Sequence, residues 1–432
     1  MIRPFAVLAA ALVLVAPVTA TAALPAPGGA TVVDLGDARA YVEPDATVAL
    51  TGLELFVRAG LDRQEDRQNG LAALVAQSVL RTPVDGVPLA DAVEARGGSV
   101  TFAVAAQYAR FYLEARPEQI GPLADLVARA LHAPSFDPAT LAAARRELGD
   151  RIADAQSDPR LVGLDMLRGS YYRDGAGAPA LGTPQTLLAL GTADAAAFYA
   201  HWYVRGDAFV TAVGRTGPAD ESGSRALVDA LAPGNAPDGA LAIRPLTAQP
   251  KRLVTHRDDV YSPYVVIGFE APALGDRDFP AALVIRAILS DLFKQDQATV
   301  RPFVFRPIGS IYGYDADPAQ LALWLNGSEV EPQVGLAALD ALVKAAAEKP
   351  LEAAVLARYR QRARGEWALE SLSLDERAWS IGNAVAHGLN ADASAQVGAA
   401  IDEVTAADVE RVAKKWFQRF DVALVLPRGD GG

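Results

Sequence analysis

The spacing of apolar residues along the chain changes period several times, and each change predicts an element. From Val48 to Val57 the apolar positions Leu50, Leu53, Leu55 and Val57 recur as on a strand, and Tyr264 to Phe269 is a short β-branched and aromatic run. Between Gly70 and Leu80 the period lengthens: Leu71, Leu74, Val75 and Val79 fall on one helical face. Gly97-Gly98 punctuates the chain before a strand-like stretch from Val100 to Leu113, and Ala-rich helices are predicted over Ile120 to Ala133 and Pro138 to Ala155. Residues 216–250 are rich in Gly, Pro, Asp and Ser around a short helical stretch, Ser224 to Leu231, and read as a connection.

The pattern occurs twice. Ala72-Ala73-Leu74-Val75 with Val79-Leu80 recurs as Ala281-Ala282-Leu283-Val284 with Ile288-Leu289, 209 positions later. Asp194, Trp202-Tyr203 and Asp207-Ala208 recur as Asp408, Trp416-Phe417 and Asp421-Val422, 214 positions later. Two anchors in the same order, separated by a short insertion, predict a duplicated domain. Mixed strands and helices in each copy make the fold α+β, with two homologous α/β-sandwich-like domains.

At 432 residues and 51% apolar content the chain can bury two cores. The net charge of −12 argues against a nucleic-acid or anionic-lipid surface, and zero cysteines exclude disulfides and thiolate metal sites. Arg3, the apolar run Phe5 to Val18 and the small residues Ala20-Thr21-Ala22 form a secretory leader pattern. The run is too short to span a bilayer, and Pro17 interrupts it. The predicted division is a leader at 1–22, domains at 23–215 and 251–432, and a linker at 216–250, in an exported, periplasmic protein.

A series of short motifs resembles the insulinase (pitrilysin-type) zinc peptidases, processing peptidases included. They are Arg58-Ala59-Gly60-Leu61-Asp62, Gly70-Leu71-Ala72, Gly97-Gly98, Ala133-Pro134-Ser135-Phe136, Ser157-Asp158-Pro159, Leu181-Gly182-Thr183 and Trp202-Tyr203, in the family's order. The resemblance runs from about Val32 to Leu426. It implies that the two domains form half of a clamshell enclosing a peptide chamber.

The family's catalytic helix carries His-x-x-Glu-His, two imidazoles one turn apart on one zinc ion with a carboxylate between them as base. In register with Gly70-Leu71-Ala72, those positions here are Ala73, Ala76 and Gln77. The family's third ligand, a glutamate, falls by counting back from Asp158-Pro159 on Arg151, or on Glu147 after a one-turn slip. A guanidinium repels a divalent ion at short range. His132, His201, His256 and His387 lie far apart in sequence and show no ligand spacing. Gly175-Ala176-Gly177-Ala178-Pro179 lacks the strand-to-helix frame of a phosphate loop, and Trp324 and Tyr203 read as core aromatics.

The resemblance therefore implies a non-catalytic subunit with no cofactor of its own, paired as a heterodimer with a zinc-bearing homologue that hydrolyses peptides. It further implies that an arginine and a tyrosine of the second half reach across to the partner's substrate. Arg306-Pro307-Ile308-Gly309-Ser310-Ile311-Tyr312 resembles that element, so Arg306 and Tyr312 are the candidate donors, with Arg301 and Tyr314 as competitors. The alternative is a stand-alone, non-hydrolytic peptide-binding or assembly protein of the same fold.

Overall fold

In the computed structural model, which describes residues 29–172, 174–235, 251–300, 308–313, 319–326 and 351–428, the strand predicted near Val57 is β3 (Thr51–Val57). Every one of its residues is buried, because both of its faces are covered. Leu53, Leu55 and Val57 point into one core, while Glu54 and Phe56 point the other way, as the two-residue period of a strand requires.

Its sheet also holds β1 (Thr31–Asp34), β2 (Arg39–Pro44), β6 (Ser99–Val104), β7 (Ala109–Ala115) and β8 (Phe209–Gly214), in the order β1-β2-β8-β3-β7-β6. β2 and β8 run parallel, and the other neighbours are antiparallel. A two-stranded ribbon, β4 (Pro83–Val84) and β5 (Val87–Pro88), lies apart from the sheet. The predicted strand Val100 to Leu113 is the β6–β7 hairpin. Helices α1 (Leu71–Arg81), α2 (Leu89–Glu94) and α3 (Pro117–His132) line the inner face. So does α8 (Pro218–Asp229), which starts earlier than its sequence suggested. Leu227 and Val228 place α8 in this core, so residues assigned to a linker complete the first half.

The second half repeats the plan. Strands β9 (Arg252–Arg257), β10 (Tyr264–Ala271), β11 (Ile308–Gly313), β12 (Ala319–Asn326) and β13 (Asp421–Pro427) lie in the order β9-β13-β10-β12-β11, and β9 and β13 are parallel. That is the order β2-β8-β3-β7-β6 again. Helix α9 (Phe279–Val300) takes the place of α1. The predicted leader at 1–22 lies outside the described residues, and no described helix is long and apolar enough to cross a membrane.

What binds the halves is an exchange of helices. After α4 (Pro138–Ser157), helix α5 (Pro159–Tyr171) crosses to the second sheet, where Leu167 packs with Val266, Ala322 and Ala423. Asp158, at the turn between α4 and α5, accepts a hydrogen bond from the Arg160 backbone N–H (2.8 Å), and Pro159 fixes the first helical φ. Reciprocally, after α10 (Ala353–Leu369), helix α11 (Leu374–Ala386) crosses to the first sheet, capped by Ser373 and Glu376. Each crossing helix carries a glycine at the contact. A Cβ on Gly163 would stand 2.4 Å from Val266 Cγ2, and one on Gly382 1.9 Å from Phe56 Cζ.

Polar contacts fix the register of α11. Arg377 pairs with Glu43 and with Asp45 (2.8 Å), and Tyr108 donates to Asn383 Oδ1 (3.0 Å). Arg58 donates to the Ala386 carbonyl (3.1 Å). Arg110 bridges Glu54 (2.5 Å) and Asp375 (3.0 Å). Glu54 is fully buried, and burial outweighs the pull of Arg110, so its pKa rises to about 8.

Two expectations test this packing. Gly382→Ala and Gly365→Ala both gain helix propensity, but Gly365 faces open space. Urea titration should show Gly365→Ala at or above wild type, and Gly382→Ala lower by about 1–3 kcal/mol through overpacking. The second concerns pH. A carboxyl whose folded pKa lies above its ordinary 4.5 contributes stability that is complete below 4.5 and is lost as pH rises through about 8. Wild type should lose stability across that window, and Glu54→Gln should flatten that part of the profile.

Candidate functional site

Helix α1 begins at Gly70, whose φ of 89° is open chiefly to glycine. A Cβ there would meet Gly182 Cα at 2.8 Å, and Gly182 (φ 80°) is equally tight against Gly70. Two of the family-like motifs, far apart in sequence, are thus packed backbone against backbone.

Ala73 and Ala76 have no exposure and Gln77 only 7%. Gln77 Nε2 donates to Glu147 Oε2 on α4 (2.6 Å). Arg81, one turn beyond Gln77, pairs with the other Glu147 oxygen and reaches Asp91 (3.4 Å). Glu147 is therefore the acidic side chain that faces the degenerate motif. Arg151, on the next turn of α4, is exposed, and its guanidinium lies 4.7 Å over the ring of Phe102 on β6. Of the two registers open in the sequence, the one-turn slip to Glu147 describes the contact with α1.

The group does not fit zinc. Two alanines offer no donor atoms, the Gln77 amide presents its N–H₂ to Glu147, and both Glu147 oxygens are occupied by Gln77 and Arg81. His132 ends α3, His256 lies on β9, and His387 follows α11 with Nδ1 2.8 Å from the Asn383 carbonyl. His201 lies against Trp202 on α7 (Thr192–Trp202). They do not converge, and among the described residues no three His, Asp or Glu side chains are grouped to hold an ion.

The second half carries an analogous pairing. Arg286 on α9, 209 positions after Gln77, is buried to 3% exposure and donates to Glu370 beyond the end of α10 (2.6 Å). Sequence reasoning missed this pairing; the repeat offset was the signal that could have found it. In both halves a polar side chain of the sheet-covering helix is tied to a carboxylate on or just beyond a later long helix.

Tyr312 is turned inward. Its hydroxyl donates to the Pro272 carbonyl (2.7 Å), its ring lies 5.2 Å from Phe279, and burial raises its pKa. That is the geometry of a core tyrosine rather than of a free donor. Arg306, Arg301 and Tyr314 lie outside the described residues. Tyr203 is fully buried, and Trp324 is half-buried beneath the Arg160 guanidinium (5.3 Å). Gly175 forms part of a tight turn against Leu61, where a Cβ would meet the Leu61 carbonyl at 1.9 Å.

Glu147→Ala should cost about 1–3 kcal/mol in urea titration by leaving Gln77 without its acceptor and Arg81 with Asp91 alone. Dialysed wild-type chain should contain no stoichiometric zinc by elemental analysis; one tightly held ion per chain would contradict the reading of Gln77 and Glu147.

The model of the insulinase family (peptidase family M16) matches residues 40–185. A comparison with curated proteins finds no match. Among solved structures, a protease from Helicobacter pylori is similar over 93% of this chain and 100% of its own, at TM-score 0.80 and 13% identity. The peptidase M16 inactive domain from Pseudomonas fluorescens is similar over 92% and 98%, at TM-score 0.77 and 16% identity. A putative M16-like peptidase from Alicyclobacillus acidocaldarius covers 92% and 98%, at TM-score 0.74 and 15% identity. At these identities the structural likeness establishes the fold.

Proposed function

We propose that this chain, whose residues 40–185 match the model of the insulinase family (peptidase family M16) and which carries alanine, alanine and glutamine at the zinc-motif positions, is the non-catalytic subunit of a two-chain zinc metallopeptidase acting on peptides. The observation that carries this reading is the Gln77–Glu147–Arg81 group: the fold is kept, and the residues at the motif hold α1 to α4. The proposed partner is a homologous, similarly sized, exported chain that retains His-x-x-Glu-His and holds the zinc. This chain would close the chamber, exclude water and orient the peptide.

Arg306 is assigned the role of a donor reaching the partner's substrate. Tyr312, bonded to Pro272, favours a second reading in which the chain is a chamber wall, or a stand-alone peptide-binding or assembly protein.

Mixed with a zinc-bearing homologue, the chain should sediment as a 1:1 complex whose peptidase activity exceeds that of the homologue alone. In that complex Arg306→Ala should raise KM and lower kcat, because a fork of donors holds the peptide in both ground and transition states. Tyr312→Phe should leave kcat nearly unchanged and cost about 1 kcal/mol of stability, the value of one buried hydrogen bond. A hundredfold kcat loss would instead place its phenol at the oxyanion. Two non-interacting species would overturn the subunit role and leave the stand-alone one.

A further inference from the structure

A cavity of about 360 Å³ lies where the end of α4, helix α5 and residues 179–183 of the first half face β11 and β12 of the second. Its volume falls at the small end of the range for small-molecule sites. The wall is mostly apolar, and its apolar side chains are incompletely covered: Leu161, Leu164 and Leu181 are half-buried, and Ile311 is 50% exposed. An apolar body that displaces water from such a surface is held there by the area it covers.

Two opposite charges of α5 stand in the same wall. Arg168 Nε donates to the Ala176 carbonyl (2.8 Å), which fixes the guanidinium by one edge, and its two terminal nitrogens have no partner among the described residues. Asp165, three residues earlier, is exposed and makes no ion pair among the described residues. Opposite charges at that spacing on a helix ordinarily meet. With its Nε committed to Ala176, the guanidinium stands outside that pair. A preoriented donor fork and a carboxylate thus remain apart on one apolar cavity.

We propose that this cavity binds a free α-amino acid with a large apolar side chain, of the leucine or phenylalanine kind. The carboxylate lies on the terminal nitrogens of Arg168, the ammonium on Asp165, and the side chain against Leu161, Leu164, Leu181 and Ile311. A simple carboxylate would gain Arg168 but meet the charge of Asp165, and a simple amine would meet the reverse. The zwitterion is the charge pattern that satisfies both. The site uses none of the zinc-motif positions and needs no partner chain, so it does not rest on the subunit reading above.

The test is calorimetric titration of the full chain with leucine, phenylalanine, glycine, N-acetyl-leucine, which lacks the ammonium, and leucinamide, which lacks the carboxylate. Leucine or phenylalanine should bind about tenfold or more tightly than each of the other three, the scale of one charge-assisted pair or one buried side chain. Arg168→Gln should weaken leucine about tenfold and leave leucinamide unchanged. Asp165→Asn should weaken leucine and leave N-acetyl-leucine no weaker; this exposed position keeps the test open if Arg168→Gln fails to fold. Glycine binding as tightly as leucine would overturn the apolar site. Equal binding of N-acetyl-leucine or leucinamide, or no effect of Asp165→Asn, would overturn recognition of the zwitterion. No heat from either leucine or phenylalanine would overturn the proposal altogether, and would leave complex formation with a zinc-bearing homologue untouched.

Discussion

Each sheet has two apolar faces, and among the described residues each half's own helices cover one of them; the exchange of α5 and α11 covers the other. Val266, Ala322 and Ala423 on the second sheet are covered by Leu167 of α5, and Phe56 on the first is covered by α11 at Gly382. Neither sheet could face water alone without exposing residues that are now fully buried. The two halves are consequently one packing unit. Glycine at both contacts lets the crossing helices approach closely, and the Arg377 and Arg110 pairs fix where α11 stops.

The same arrangement accounts for how α1 keeps its place with alanine, alanine and glutamine at the motif positions. Helix α1 is held by apolar burial along its length and by the Gly70–Gly182 contact, neither of which needs a metal. What remained was the requirement that a polar side chain facing α4 be satisfied. Gln77 meets it with Glu147, as Arg286 meets it with Glu370 in the second half. In each half a carboxylate on or just beyond a later long helix ties two helices together.

Tyr312 and Arg151 show how far a motif carries a role. Tyr312 lies where a family-like run places a donor, yet its strand packs against α9 and its hydroxyl meets the Pro272 carbonyl. Arg151 entered as a residue that merely excludes a metal. The structure sets its guanidinium over the ring of Phe102 on the edge strand β6.

Composition and periodicity determined much by themselves. The duplication, strands near 48–57 and 264–269, helices α1, α3 and α4 and the absence of histidine at the zinc motif all follow from residue types at local spacing, which a linear reading captures. The crossing of α5 and α11 left no such mark, because an amphipathic helix records that it has an apolar face and not which sheet will cover it. Only the tertiary structure decided that the Glu54 carboxyl is buried beneath a helix more than 300 residues away, that Glu147 rather than Arg151 meets Gln77, and that α8 belongs to the first core. Each of these depends on which surfaces remain to be covered once the strands have paired, and that is settled in three dimensions.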